Sequence, residues 1–239
     1  MPFLGLGSTG AQILPGVPLG ALDVACPAIA GAALTFRKGG RRSATGFLMR
    51  AFDVRRVGNP VWLIPTFFLM PLVMVLSFAV MRAQGVPIPL PRPGMAGTLG
   101  LSLVCFVGAL GEELGWSGYA TEPLQNRFGA LGASLVIGSF GILWHIVPLL
   151  EVRRSATYVA WWALGNGIAV RVLIVWIYDN TGRSVFAASV FHAMVNITWQ
   201  LFPIDGSYFD PRITSPIVAA FAALTLVPWG PHSLSGRRR

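Results

Sequence analysis

Long apolar runs, separated by short polar or basic connections, dominate this chain. A helix that crosses a bilayer needs about 20 mostly apolar residues. About seven segments approach that length: roughly 13–36, 61–82, 97–120, 129–150, 156–178, 184–203 and 213–229. The first is the least regular, because Pro15, Pro18, Asp23 and Pro27 interrupt it. The pattern predicts an all-α fold, a polytopic transmembrane helical bundle of about seven helices. It fills a single integral membrane domain over residues 1–239, with 230–239 as a basic tail. Pro87, Pro89, Pro91 and Pro93 mark a stiff connection between the second and third helices.

Composition narrows this picture. Charged residues make up 11% of the chain, against about 25% in soluble domains. Nine acids and eighteen bases are too few to coat a soluble domain of 239 residues. The net charge of +9 does not point to nucleic acid, because the bases lie in loops between apolar runs. Arg37, Lys38, Arg41, Arg42, Arg50, Arg55 and Arg56 fall between the first two helices. By the positive-inside rule that loop is cytoplasmic, and alternation puts Arg237, Arg238 and Arg239 there too. Asp205 and Asp210 then lie outside, in agreement with the rule, and Arg153 and Arg154 lie outside against it. The expected location is the plasma membrane, with basic loops and C-terminus in the cytoplasm. Residues 43–57 read equally as a short interfacial helix or a basic loop touching anionic lipid. Cys26 and Cys105 lie in apolar runs and read as buried small residues, and residues 1–11 carry no basic region of a cleavable leader.

Ionisable groups inside apolar segments are costly, and each is a functional candidate. Glu112 and Glu113 lie in the third segment, His145 in the fourth, Arg171 in the fifth and His192 in the sixth. These are the central four helices. Adjacent glutamates point about 100° apart on a helix, so one can face a reaction centre while the other holds a neighbour. His192 and Asn196 are four residues apart and share a face. Glu112, His145 and His192 supply the donor types of a zinc site with a water in the open position. The same groups also suit metal-free hydrolysis, in which a glutamate activates water and His and Asn stabilise an oxyanion. No HExxH or GxSxG is present. Taken singly, a membrane histidine is more often a helix–helix hydrogen-bond partner, and buried Glu and His also build proton relays.

The stretch GEELGWSGYATEPLQNRFGALGASLVIGSFGILWHIVP resembles the central motifs of the CPBP family, the type II CAAX prenyl proteases and bacteriocin-processing intramembrane endopeptidases. The family pattern runs EExxxR, then a helix ending in His-hydrophobic-Pro, then HxxxN or HxxxD. Glu112 and Glu113 match the glutamate pair, His145 the first histidine, and His192 and Asn196 in FHAMVN the last motif. The resemblance covers residues 97–203. It implies an intramembrane endopeptidase that acts on a membrane-associated or lipidated peptide or protein, with zinc or without metal. Glu112 would activate water, His145 would position it, and Glu113 would support. His192 and Asn196 would polarise the scissile carbonyl. Ser117 stands where the family has arginine, and Gly141 where it often has phenylalanine. The expectation is that Arg171 supplies the missing charge to the glutamates, with Arg127 as the reserve. The Ser117 departure also keeps open a non-catalytic relative, an immunity or membrane scaffold protein.

Overall fold

The computed structural model describes residues 12–14, 17–18, 23–90, 94–151, 154–202 and 208–236. It is a helical bundle, as the apolar pattern predicts. A short antiparallel ribbon, β1 (Gln12–Leu14) with β2 (Val17–Pro18), precedes it. Helix α1 spans Cys26–Leu48 and α2 spans Leu63–Ala83. Helix α3 (Met95–Gly115) continues through a π-helical turn, Trp116–Ala120, into α4 (Thr121–Glu151). Helix α5 (Ala156–Trp162) passes through a second π-helical stretch, Ala163–Ala169, into α6 (Val170–Asn180). Helices α7 (Val185–Gln200) and α8 (Pro211–Ser233) complete the bundle.

The first expected span is corrected. Helix α1 begins at Cys26 rather than near residue 13, and its second half carries Arg37, Lys38, Arg41 and Arg42. Four bases in one stretch bar that half from a hydrocarbon core. Backbone breaks at Gly39 and Gly40 bend the helix there. Residues 43–57 form its last turns followed by two 3₁₀ turns, Met49–Phe52 and Val54–Arg56. Leu48, Met49, Phe52 and Val54 are exposed on this basic segment, the composition of an interfacial element. The tail is shorter than expected, because residues 230–233 are the last of α8. Pro91 and Pro93 of the proline connection, Asp205, Arg153 and Arg237 to Arg239 lie outside the described residues.

Among the described residues, four apolar stretches are long enough to cross a membrane: Pro60–Ala83, Gly97–Ile146, Ala156–Asn180 and Pro211–Ser233. The second is not one straight rod. Gly129 takes φ +72°, which breaks the helical path, and Trp144 returns to meet Trp116 edge-on with ring centroids 6.5 Å apart. Only glycine adopts that φ without strain. The outer faces carry Phe68 and Val75 on α2, Leu103 and Val107 on α3, Phe140 and Leu143 on α4, and Leu224 and Val227 on α8, all exposed. Water does not tolerate so much bare apolar surface, whereas lipid does.

The centre of the bundle is α6 and α7. Every residue from Val170 to Tyr178 is buried, Arg171 among them. Helices α2, α3, α4 and α8 pack around this pair. Helix α1 lies against α3 through two small residues one turn apart. A Cβ at Gly111 would stand 2.7 Å from the Val24 carbonyl oxygen, and one at Gly115 would stand 2.4 Å from Pro27. This close approach flanks Glu112 and Glu113 and brings the start of α1 to them. Gly115→Val forces α1 off α3, at a cost of about 1–3 kcal/mol for overpacking. Thermal unfolding in detergent checks this, and a melting temperature equal to the wild type contradicts the close packing.

Candidate active site

Glu113 is fully buried, with 0% exposure. It is held by three side chains from three elements. Arg171 Nη1 on α6 donates to its Oε2 at 2.9 Å. His192 Nδ1 on α7 lies 2.9 Å from its Oε1. Ser117, four residues on and itself buried, donates its hydroxyl to Oε2. A buried carboxylate is tolerable only when paired and hydrogen-bonded, and here both oxygens are engaged. Arg171, expected to bring charge to the glutamates in place of an arginine at position 117, makes its contact with Glu113. Ser117 is the spacer: arginine there would crowd the carboxylate already met by Arg171, while serine adds a donor without charge. Arg127 instead lies over the Phe128 ring, 5.1 Å from its centroid.

Glu112, one residue back, points elsewhere and is only partly buried. Its charge acts on both Asp23 and His192, so it lies among them. The adjacent glutamates have therefore divided, as helix geometry allows: one buried and paired, the other partly exposed. Asp23 stands just before α1, within electrostatic range of Glu112 and His145. The sequence carried its signal, an acid in an apolar run, but the residue reads there as an interruption rather than part of a site.

His145 on α4 shares its Nδ1 with the Gly141 carbonyl oxygen at 2.8 Å. Its ring packs on Trp162, with centroids 5.3 Å apart. With the proton on Nδ1 for that bond, Nε2 carries the ring's lone pair and acts as an acceptor. Gly141 has open space where a side chain would stand, so the backbone contact does not depend on a phenylalanine there. Asn196 follows His192 by one turn of α7 and is partly buried. The structure thus joins Glu113, His192, Arg171 and Ser117 by direct bonds. Glu112 lies beside them, and His145 approaches through Asp23.

The zinc set expected from Glu112, His145 and His192 is not gathered. Among the described residues, no three His, Cys, Asp or Glu side chains stand close enough to share a metal ion.

A second group of residues positions these helices. Asp53, in the basic turn after α1, accepts from the Ser184 hydroxyl at 2.8 Å, the Val185 amide at 3.2 Å and the Phe186 amide at 3.0 Å. It caps the N-terminus of α7, the helix of His192, from a distant part of the chain. Arg50, one turn earlier, donates to the Gly118 carbonyl at 2.6 Å, the Tyr178 hydroxyl at 2.8 Å and the Arg183 carbonyl at 2.9 Å. Gly118 follows the glutamates, Tyr178 follows Arg171, and Arg183 precedes α7. One turn thus ties together the three elements that meet at Glu113. In the sequence Arg50 reads as topology only, because contacts 68, 128 and 133 residues away leave no local pattern. Both π-helical stretches adjoin the site, one after Glu113 and one before Arg171. Such turns recur at functional sites because they rotate the side chains that follow.

Residues 94–198 match the family model described as Type II CAAX prenyl endopeptidase Rce1-like. The resemblance read from the motifs is to this family. CAAX prenyl protease 2 of Methanococcus maripaludis is 29% identical over 173 residues, which cover 66% of this chain and 62% of that relative. The chain therefore spans less than two thirds of the curated relative it matches. The family match contains Glu112, Glu113, His145, Arg171, His192 and Asn196, and it excludes Asp23, Arg50 and Asp53.

Two outcomes are expected. Arg171→Ala leaves a buried carboxylate with one charged partner removed, a loss of about 3–5 kcal/mol. The double variant Arg171→Met with Glu113→Gln unfolds at a higher temperature than Arg171→Ala, and Ser117→Arg in the Arg171→Ala background recovers part of the loss. Asp53→Ala removes the α7 cap, costing about 0.5–2 kcal/mol. Thermal unfolding of the four purified variants beside the wild type reads all of these. Equal melting temperatures for Arg171→Ala and wild type contradict the ion pair.

Proposed function

We propose that this chain is an intramembrane endopeptidase that uses Glu112 to activate water. The observation that carries the reading is the division of the glutamate pair. Glu113 is fully engaged by Arg171, His192 and Ser117, while Glu112 is the partly open carboxylate next to them. A general base must reach its water, and a base locked in an ion pair cannot.

In this scheme Glu112 takes a proton from a water molecule, and the water oxygen attacks the carbonyl carbon of the scissile peptide bond. His145 orients the water through its second ring nitrogen. The oxygen of the former carbonyl gains negative charge and is met by His192 and Asn196, which share one face of α7. Glu113 accepts from Nδ1–H of a doubly protonated His192 ring, whose Nε2–H then donates to that oxygen. The carbon–nitrogen bond then breaks, Glu112 returns the proton to the leaving nitrogen, and a carboxylic acid and an amine result. Arg171's role is electrostatic: its charge pairs with the Glu113 carboxylate and keeps it in place.

The substrate is a peptide or protein at the membrane, and a lipidated one suits the setting best. The name of the Methanococcus maripaludis relative specifies a prenyl protease, which supports the lipidated class. The reaction is metal-free in this reading. Assay of a prenylated peptide in detergent or nanodiscs tests it. Glu112→Gln is expected to lose at least about 10²-fold of cleavage, the usual range for a positioned acid–base group. Cleavage by the wild type is expected to survive a zinc chelator. Cleavage that persists in Glu112→Gln removes Glu112 as the base. Loss of cleavage with the chelator, restored by zinc, replaces the metal-free scheme with a metal-dependent one. A folded wild type that cleaves no member of a lipidated peptide library supports the non-catalytic reading.

A further inference from the structure

A cavity of about 510 Å³ lies away from the glutamate site. Its walls include Arg56, Trp62, Asp179 and Trp229. The volume falls within the roughly 300–1,000 Å³ of small-molecule sites. It opens where α2 begins and where α6 and α8 end, so it adjoins the limits of three of the four apolar stretches. That is the level of lipid head groups, and tryptophans concentrate there.

Three features of the cavity are chemically specific. Trp62 and Trp229 stand edge to face, with centroids 6.0 Å apart, and each also meets Trp176. Aromatic walls of this kind attract a cation. Asp179 accepts from Gln125 at 2.7 Å through Oδ2, but its Oδ1 is buried with no hydrogen-bond partner. An unsatisfied buried acceptor is expensive, and a donor from a ligand would relieve it. Arg56 is half-exposed, and its protein contacts are long: 3.5 Å to the Gly182 carbonyl and 3.7 Å to Asp53. Its guanidinium retains donors for an anion such as a phosphate.

We propose that this cavity binds the head group of a zwitterionic phospholipid with a primary amine, a phosphoethanolamine. The ammonium would sit against the wall formed by Trp62 and Trp229 and donate to Asp179 Oδ1, and the phosphodiester would meet Arg56. A primary amine is favoured over a quaternary one because only N–H can satisfy the unpaired oxygen. The acyl chains would leave along the exposed apolar faces of α2 and α8. The site does not depend on the catalytic reading.

Native mass spectrometry of the full chain, exchanged into micelles with equal phosphatidylethanolamine, phosphatidylcholine and phosphatidylglycerol, tests this. The wild type is expected to retain phosphatidylethanolamine in about tenfold excess over phosphatidylcholine, the effect of one charged hydrogen bond. Asp179→Asn is expected to abolish that preference. Arg56→Gln, at a half-exposed position where folding is not at stake, is expected to lower retention of phosphatidylethanolamine several-fold. Equal retention of the three lipids by the wild type, or an unchanged preference in Asp179→Asn, overturns the proposal. Unchanged retention in Arg56→Gln overturns the phosphate contact and with it the head-group assignment. Full competition by soluble glycerophosphoethanolamine overturns the lipid source.

Discussion

The ion pair between Glu113 and Arg171 is the constraint around which the bundle is organised. Both charged side chains are buried, one on α3 and the other on α6. Neither charge is tolerable there alone, because a lone buried charge costs several kcal/mol. Helix α6 must therefore present Arg171 to α3, and α7 must present His192 to the other carboxylate oxygen. Small residues, π-helical turns and the basic turn near residue 50 all serve that arrangement. Gly111 and Gly115 let α1 reach the glutamates, and Arg50 and Asp53 fix the ends of the three elements that meet at Glu113.

The pair also assigns roles within the double glutamate. Adjacent residues on a helix cannot share one environment, and the structure gives Glu113 the buried place and Glu112 the open one. The replacement of arginine by Ser117 loses its weight as a sign of decay. The charge comes from Arg171 instead, 58 residues further on, and Ser117 contributes a hydroxyl to the same oxygen.

Much of the fold was legible because apolar length is a strong signal. The expected segments at 61–82, 97–120, 129–150, 156–178, 184–203 and 213–229 each coincide with a helix, shifted by a few residues at the ends. The first segment was misplaced because its apolar run ends in bases that continue the helix without crossing. The Arg171–Glu113 contact was legible from charge alone, since an arginine in an apolar helix needs a carboxylate. Asp53 was not, because its cap acts on a helix more than a hundred residues away. The π-helical stretches leave no periodic trace. The separation of His145 from the Glu113 network was equally hidden, since it depends on how α4 folds back at Gly129. The zinc set rested on donor types, and donor types do not determine whether three helices bring them to one point.

The central claim is that Glu113 builds the site and Glu112 works in it. The most direct measurement is the melting temperature and the peptide cleavage rate of Glu112→Gln and Glu113→Gln, taken on the same purified samples. The account predicts that Glu112→Gln melts with the wild type and does not cleave, while Glu113→Gln melts well below both. Glu113→Gln melting with the wild type, or Glu112→Gln as the less stable of the two, would contradict it.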